Sequence, residues 1–167
     1  MENLRFITNE YVEVVGTGGQ FLGDYLENKA KQLKPKDYWG NINSIRFQFY
    51  DLEKQMAVFN IDCEGHGGFI IYADRGTITN TKEYKEASCS FYSNDGNKEM
   101  VFFEEDCDWA IGYNLLDEQQ RKVIEDKRLK RHEEIEKLTN NYTEYKPLSH
   151  YAKETIKHYY PNVKLNF

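Results

Sequence analysis

The chain has 167 residues and a formal net charge of −6, from 22 Lys and Arg against 28 Asp and Glu. That length suits one domain, and that balance excludes a nucleic-acid binder working through phosphate neutralisation, so no direct nucleic-acid partner is expected. Hydrophobic residues at 40% and aromatics at 15% exclude a disordered chain, because so much large apolar surface has to be buried.

The first residues, Met1-Glu2-Asn3-Leu4-Arg5, form no basic region ahead of an apolar run. No later stretch reaches about 18 apolar residues, so a soluble, intracellular protein with no membrane partner is expected. The cysteines number three. An odd count fits a reducing compartment and no disulfide framework.

In chain order, Tyr11 to Val15 alternates like a strand and Gly16-Thr17-Gly18-Gly19 breaks it. Phe21, Leu22, Tyr25, Leu26, Ala30 and Leu33 then recur at helical spacing, until Lys34-Pro35 stops the helix. The glycine run is a strand-to-helix turn rather than a phosphate loop, because no Gly-Lys-Ser/Thr follows it. Short aromatic and β-branched runs over 46–52, 55–63, 68–73, 87–93 and 99–103 predict an antiparallel sheet, most simply a meander. Asn94-Asp95-Gly96-Asn97 supplies a hairpin turn between the last two.

Asp117 with Gln120 makes a capping box that opens a long helix reaching about Leu138. From Asp117 to Asn140 seven acids and seven bases interleave at spacings of three and four, around a thin stripe of Val123, Ile124, Ile135 and Leu138. A mostly solvated helix follows from that pattern. A last helix over 147–160 sets Leu148, Tyr151, Ala152, Thr155, Ile156 and Tyr159 on one face, ready to dock on the sheet.

The expected fold is therefore α+β: an antiparallel sheet of about five strands flanked by an N-terminal helix and two C-terminal helices. Residues 1–167 are read as a single domain, with an N-terminal strand and helix over 1–45, a sheet core over 46–110 and a helical part over 111–167.

Asp62-Cys63-Glu64-Gly65-His66-Gly67-Gly68 sets a thiol and an imidazole three residues apart in a glycine turn, a spacing that suits zinc. A second run, Glu104-Glu105-Asp106-Cys107-Asp108-Trp109, follows another strand. A structural zinc held by Cys63, His66, Cys107 and Cys89 is the expectation, balanced against Cys63 as a buried thiol and His66 as a turn residue. Cys89 is the weakest member: it shares a strand face with Ala87 and Phe91, and the hairpin register puts it opposite about residue 102. Glu105, Asp106 or a histidine of the last helix can replace it. His150, Glu154 and His158 form one stripe there, which an exposed polar face explains as well.

The same residues allow a catalytic reading, with Cys63 or Cys107 as nucleophile, His66 as base and Glu104 or Asp108 orienting it. Zinc with an open position and Glu105 as base is a hydrolytic variant. The acidic run also suits the start of a helix without any chemistry.

Gly65-His66-Gly67-Gly68 followed by Phe103-Glu104-Glu105-Asp106-Cys107-Asp108-Trp109-Ala110 resembles a small domain family carried by phages and plasmids, over roughly residues 38–115. The chain is also similar to zinc-containing phage anti-CRISPR proteins. That resemblance implies a non-enzymatic inhibitor that binds a basic surface of the type II-A effector Cas9, or of its guide complex, in the cytoplasm of a bacterial host, with zinc holding the fold. The alternatives are a zinc- or thiol-dependent hydrolase of a mobile element and a structural or accessory phage protein.

Overall fold

The computed structural model describes residues 5–9, 19–33 and 39–167. The strand expected over 11–15 and most of the glycine turn after it lie outside the described residues. Six antiparallel strands form one sheet: β1 (Phe6–Ile7), β2 (Ile42–Asp51), β3 (Met56–Cys63), β4 (Gly67–Asp74), β5 (Phe91–Asp95) and β6 (Lys98–Glu104). Their spatial order is β1-β2-β3-β4-β6-β5. The helices are α1 (Leu22–Leu33), α2 (Lys82–Glu86), α3 (Trp109–Asn114), α4 (Glu118–Thr139) and α5 (Leu148–Tyr159). The expected α+β class is the one observed.

Period-two alternation makes both faces of the sheet apolar. Val58, Phe69, Ile71, Val101 and Phe103 point into a core closed by Ile111, Ile124 and Ile156 of α3, α4 and α5. Phe59, Ile61, Ile70, Met100 and Phe102 point into a second core closed by Leu22, Leu26 and Ala30 of α1 and by Trp39. Each buried phenylalanine or isoleucine contributes about 1.5–3 kcal/mol, so neither face is expendable.

The meander breaks at one place. β4 pairs with β6, and β5 lies outside β6 at the sheet edge. The hairpin at Gly96 is as expected, with Asp95 opposite Lys98 and Gly96 at φ +64°, a conformation that suits glycine. Before it, however, β5 begins only at Phe91. Phe91 sits opposite Phe102, so the position expected for Cys89 belongs to a residue two further on. The reason is a side chain. Buried Asp108 accepts the backbone N–H of Ser88 (3.3 Å) and Cys89 (2.7 Å) and the hydroxyl of Ser90 (2.9 Å), so the N–H groups of Ser88 and Cys89 serve a carboxylate instead of a ladder.

Two more buried carboxylates do similar work. Glu99 on β6 accepts Gly76 N (2.9 Å), Ile78 N (2.8 Å) and Thr79 Oγ1 (2.7 Å), fixing the loop after β4. Asp51 at the end of β2 accepts Arg5 Nη2 (2.7 Å), Gln120 Nε2 (2.7 Å) and Glu53 N (3.0 Å), tying β1, β2 and α4 together. The capping box at Asp117 and Gln120 is formed in full. α4 is largely solvated as expected, with Ile135 and Leu138 exposed. The docking face of α5 is narrower than its spacing implied: Ala152 and Ile156 are buried, whereas Tyr151 and Tyr159 face outward. Among the described residues, no helix is long and apolar enough to cross a membrane.

Burial alone would raise the pKa of Asp51, but hydrogen bonds from Arg5, Gln120 and the Lys54 backbone, with the charge of Arg5, outweigh it and hold the carboxyl below its ordinary value. Asp117 follows the same pattern: burial opposes, and Lys54, the Gln120 backbone and Arg5 prevail. Carboxyls with depressed folded pKa values stabilise the fold above the unfolded value, about 3.9 for Asp, and that contribution disappears as pH falls through the folded value. The melting temperature is therefore expected to hold between about pH 5 and 7 and to fall below about pH 4, with a smaller acid loss in Asp51→Asn. Thermal melts across that range check it, and an acid loss undiminished in Asp51→Asn would contradict it.

Candidate functional site

Antiparallel pairing brings the two site-like runs together. Asp62 of β3 lies opposite Gly67 of β4, and Gly68 lies opposite Glu104 of β6. The tight turn closes through Cys63 N–H to the His66 carbonyl (2.9 Å), and the turn backbone is held from outside by Glu64 N to Asn41 O (2.9 Å) and Gly65 N to Trp39 O (3.2 Å).

The glycines of this turn are required by packing. A Cβ on Gly68 would come within 2.1 Å of the Phe103 carbonyl oxygen and 2.6 Å of the Trp39 ring. Trp39, fully buried, lies edge-on to Phe91 and Phe102 at 5.5 and 5.8 Å. A Cβ on Gly67 would meet the Glu105 carboxylate at 2.6 Å and the Ile61 carbonyl at 2.9 Å. The glycine pair therefore lets the turn sit between an indole and an acidic loop.

His66 Nδ1 approaches Glu104 Oε1 at 3.4 Å, while Glu104 Oε2 accepts the Asp106 N–H at 2.9 Å. Among the described residues, the group of three or more metal-capable side chains whose ligand atoms all lie within 4.8 Å of one another is His66, Glu104 and Glu105. It contains no cysteine.

The four-ligand set of Cys63, His66, Cys107 and Cys89 is not assembled. Cys63 continues the parity of Phe59 and Ile61 and is buried in the core under α1. Cys107 packs against the core on the opposite side of the sheet. One ion cannot span that thickness. Cys89 is exposed in the segment held by Asp108. Of the expected substitutes, Glu105 joins the His66 group, and His150, Glu154 and His158 stay exposed on α5.

Cys107 instead belongs to a hydrogen-bonded knot. Its sulfur lies 3.0 Å from Tyr160 Oη and 3.6 Å from Asp108 Oδ1, and the Tyr160 hydroxyl also donates to Asp108. Burial, against the hydrogen bond from Tyr160, pushes the Cys107 thiol up from its ordinary value. This protonated thiol is a poor nucleophile at neutral pH. The orienting carboxylate imagined at Asp108 is committed to the 88–90 segment and to α5, where it holds structure.

Around the His66 turn the surface is acidic. Asp62, Glu64, Glu105 and Asp106 are all exposed. Register makes them neighbours, and a cleft of about 260 Å³ runs beside them between Arg46, Asp62, Glu105 and Trp109. No protein-family model, curated protein or solved structure matches the chain.

In the native protein Cys89 is expected to react with a thiol reagent within seconds to minutes, and Cys63 and Cys107 only on unfolding, whether or not zinc is present. Ellman titration of native and denatured chain measures this. Three thiols that zinc protects and a chelator releases would restore the cysteine clasp.

Proposed function

We propose that the chain is a non-enzymatic binding protein whose acidic end docks on a basic surface of a protein partner. The observation that carries this reading is the convergence of two acidic runs, separated by about forty residues in sequence, at one end of the sheet through the β3, β4 and β6 pairing. Acids gathered this way steer association with a basic surface, and raise its rate more than their number alone suggests. The geometry supports the chemistry of the partner; the motif resemblance supports its identity. On that basis the partner is Cas9 or its guide complex, and the protein acts as a phage or mobile-element anti-defence factor in the cytoplasm of a bacterial host.

The thiol-dependent form of the hydrolase alternative loses its support, because its two candidate thiols are a core residue and a partly buried, protonated one on opposite faces. The cofactor proposal changes donors. One imidazole and two carboxylates suit a divalent cation with room for water, so zinc added to chelator-stripped chain is expected to raise the melting temperature through His66, Glu104 and Glu105. The rise should vanish in Glu105→Gln and persist in Cys89→Ser; the reverse pattern would return the site to the thiols.

The binding proposal is tested by pull-down and titration against guide-loaded Cas9 at physiological salt. Binding at or below about 1 μM is expected, weakened at least about tenfold in Asp62→Lys/Glu105→Lys and in high salt. No binding at micromolar concentration, or binding indifferent to the charge reversal, would contradict it.

A further inference from the structure

The second hollow of the molecule has the opposite charge. α4 crosses β2 and is fastened there by Lys127, whose Nζ donates to the carbonyls of Thr8 (3.1 Å), Phe47 (3.2 Å) and Gln48 (2.5 Å). Between helix and strand lies a cleft of about 510 Å³, within the size range of small-molecule sites. Its helical wall is one face of α4, with Ile124, Lys127, Arg128 and Arg131 at the i, i+3, i+4, i+7 spacing. Ile124 is buried against the sheet. Beyond it, the positions that would continue an apolar stripe carry three cations.

Arg46 of β2, paired with Asn60 of β3, faces them from the strand wall. The cleft lining includes no carboxylate among the described residues. Elsewhere on α4, charges are paired within the helix, as in Lys122 with Asp126 at 3.1 Å and His132 with Glu136 at 3.2 Å. Arg46, Arg128 and Arg131 enter no ion pair among the described residues.

Arg128 adds a specific deficit. Its guanidinium packs 5.8 Å from the Tyr145 ring centroid, and its Nη1 is buried with no hydrogen-bond partner. A buried donor left unmade is costly, and the three gathered guanidinium groups repel one another. A ligand with anionic oxygens relieves the repulsion, since guanidinium forks match phosphate oxygens two at a time.

We infer that the cleft between α4 and β2 binds a phosphate-bearing small molecule of nucleotide size, its phosphates on Arg46, Arg128 and Arg131 and its apolar body against the half-buried Ile45 and Leu148. Phosphate is favoured over a single carboxylate because three arginines match a multiply charged group. A small molecule is favoured over nucleic acid because the cleft has small-molecule size and the chain has a net charge of −6. The inference is independent of the partner proposed for the acidic end.

Calorimetric titration of the full-length chain with adenosine 5′-diphosphate, pyrophosphate and inorganic phosphate tests it, at physiological salt. Adenosine diphosphate and pyrophosphate are expected to bind with Kd below about 100 μM and inorganic phosphate more weakly. Arg46→Gln and Arg131→Gln, both at exposed positions, should each weaken binding about tenfold or more without moving the melting temperature. Lys153→Gln, on the exposed side of α5, should change nothing. The inference is overturned by absence of binding at 1 mM (on the order of the weakest useful affinity), by equal losses in Lys153→Gln, or by a single-stranded oligonucleotide that displaces the diphosphate and binds more tightly.

Discussion

The structure depends on a sheet that is apolar on both faces. In β4, Phe69, Ile71 and Ala73 serve one core while Ile70 and Tyr72 serve the other, so each residue step along the strand changes the layer it supports. Both layers have to be covered, and the connections that lead from sheet to helices have to hold their polar backbone close to apolar surface. Three buried carboxylates meet that demand. Asp51 gathers the β1 and α4 side, Glu99 holds the loop after β4, and Asp108 holds the segment before β5 and the end of α5. Each is a charged residue in a place where composition alone would expect none, and each is satisfied by several donors.

Much of this was legible in the residues. Alternation located four of the strands to within a few positions, Asp117 and Gln120 fixed the start of α4, and Asp95-Gly96 fixed the last hairpin. The misplaced strand was the one beginning at residue 87. Its pattern resembled a ladder, yet its backbone was claimed by Asp108, a long-range contact invisible to local periodicity. Thr81, Lys82 and Glu83 were a readable helix start, since Thr81 caps α2 through its hydroxyl. The narrow docking face of α5 could not be read from spacing, because tyrosine fits a core and an exposed surface alike.

The site shows the same division. That the two motif runs meet was inferred correctly, but not which side chains meet. Parity decides it: Cys63 follows Phe59 and Ile61 into one core, whereas Cys107 lies past the strand end and packs on the other. The pairing of Gly68 with Glu104 instead places His66 beside carboxylates. The need for glycine at 68 comes from the Phe103 carbonyl and from Trp39, a residue outside both motifs. What the motif encodes is therefore a close packing of turn, indole and acidic loop. The modest net charge conceals a separation, with acids at one end of the sheet and, between α4 and β2, arginines without an ion pair among the described residues. Arg46, Asn60 and Leu148 line both hollows, so the two adjoin.

Under the proposed function, the acidic end around His66 is the surface that meets a partner. Hydrogen exchange of the chain, free and bound to guide-loaded Cas9, tests it most directly. Slowed exchange confined to the 62–66 turn and the 104–106 loop is expected. Protection on α4 or α5 with that end unchanged would contradict it.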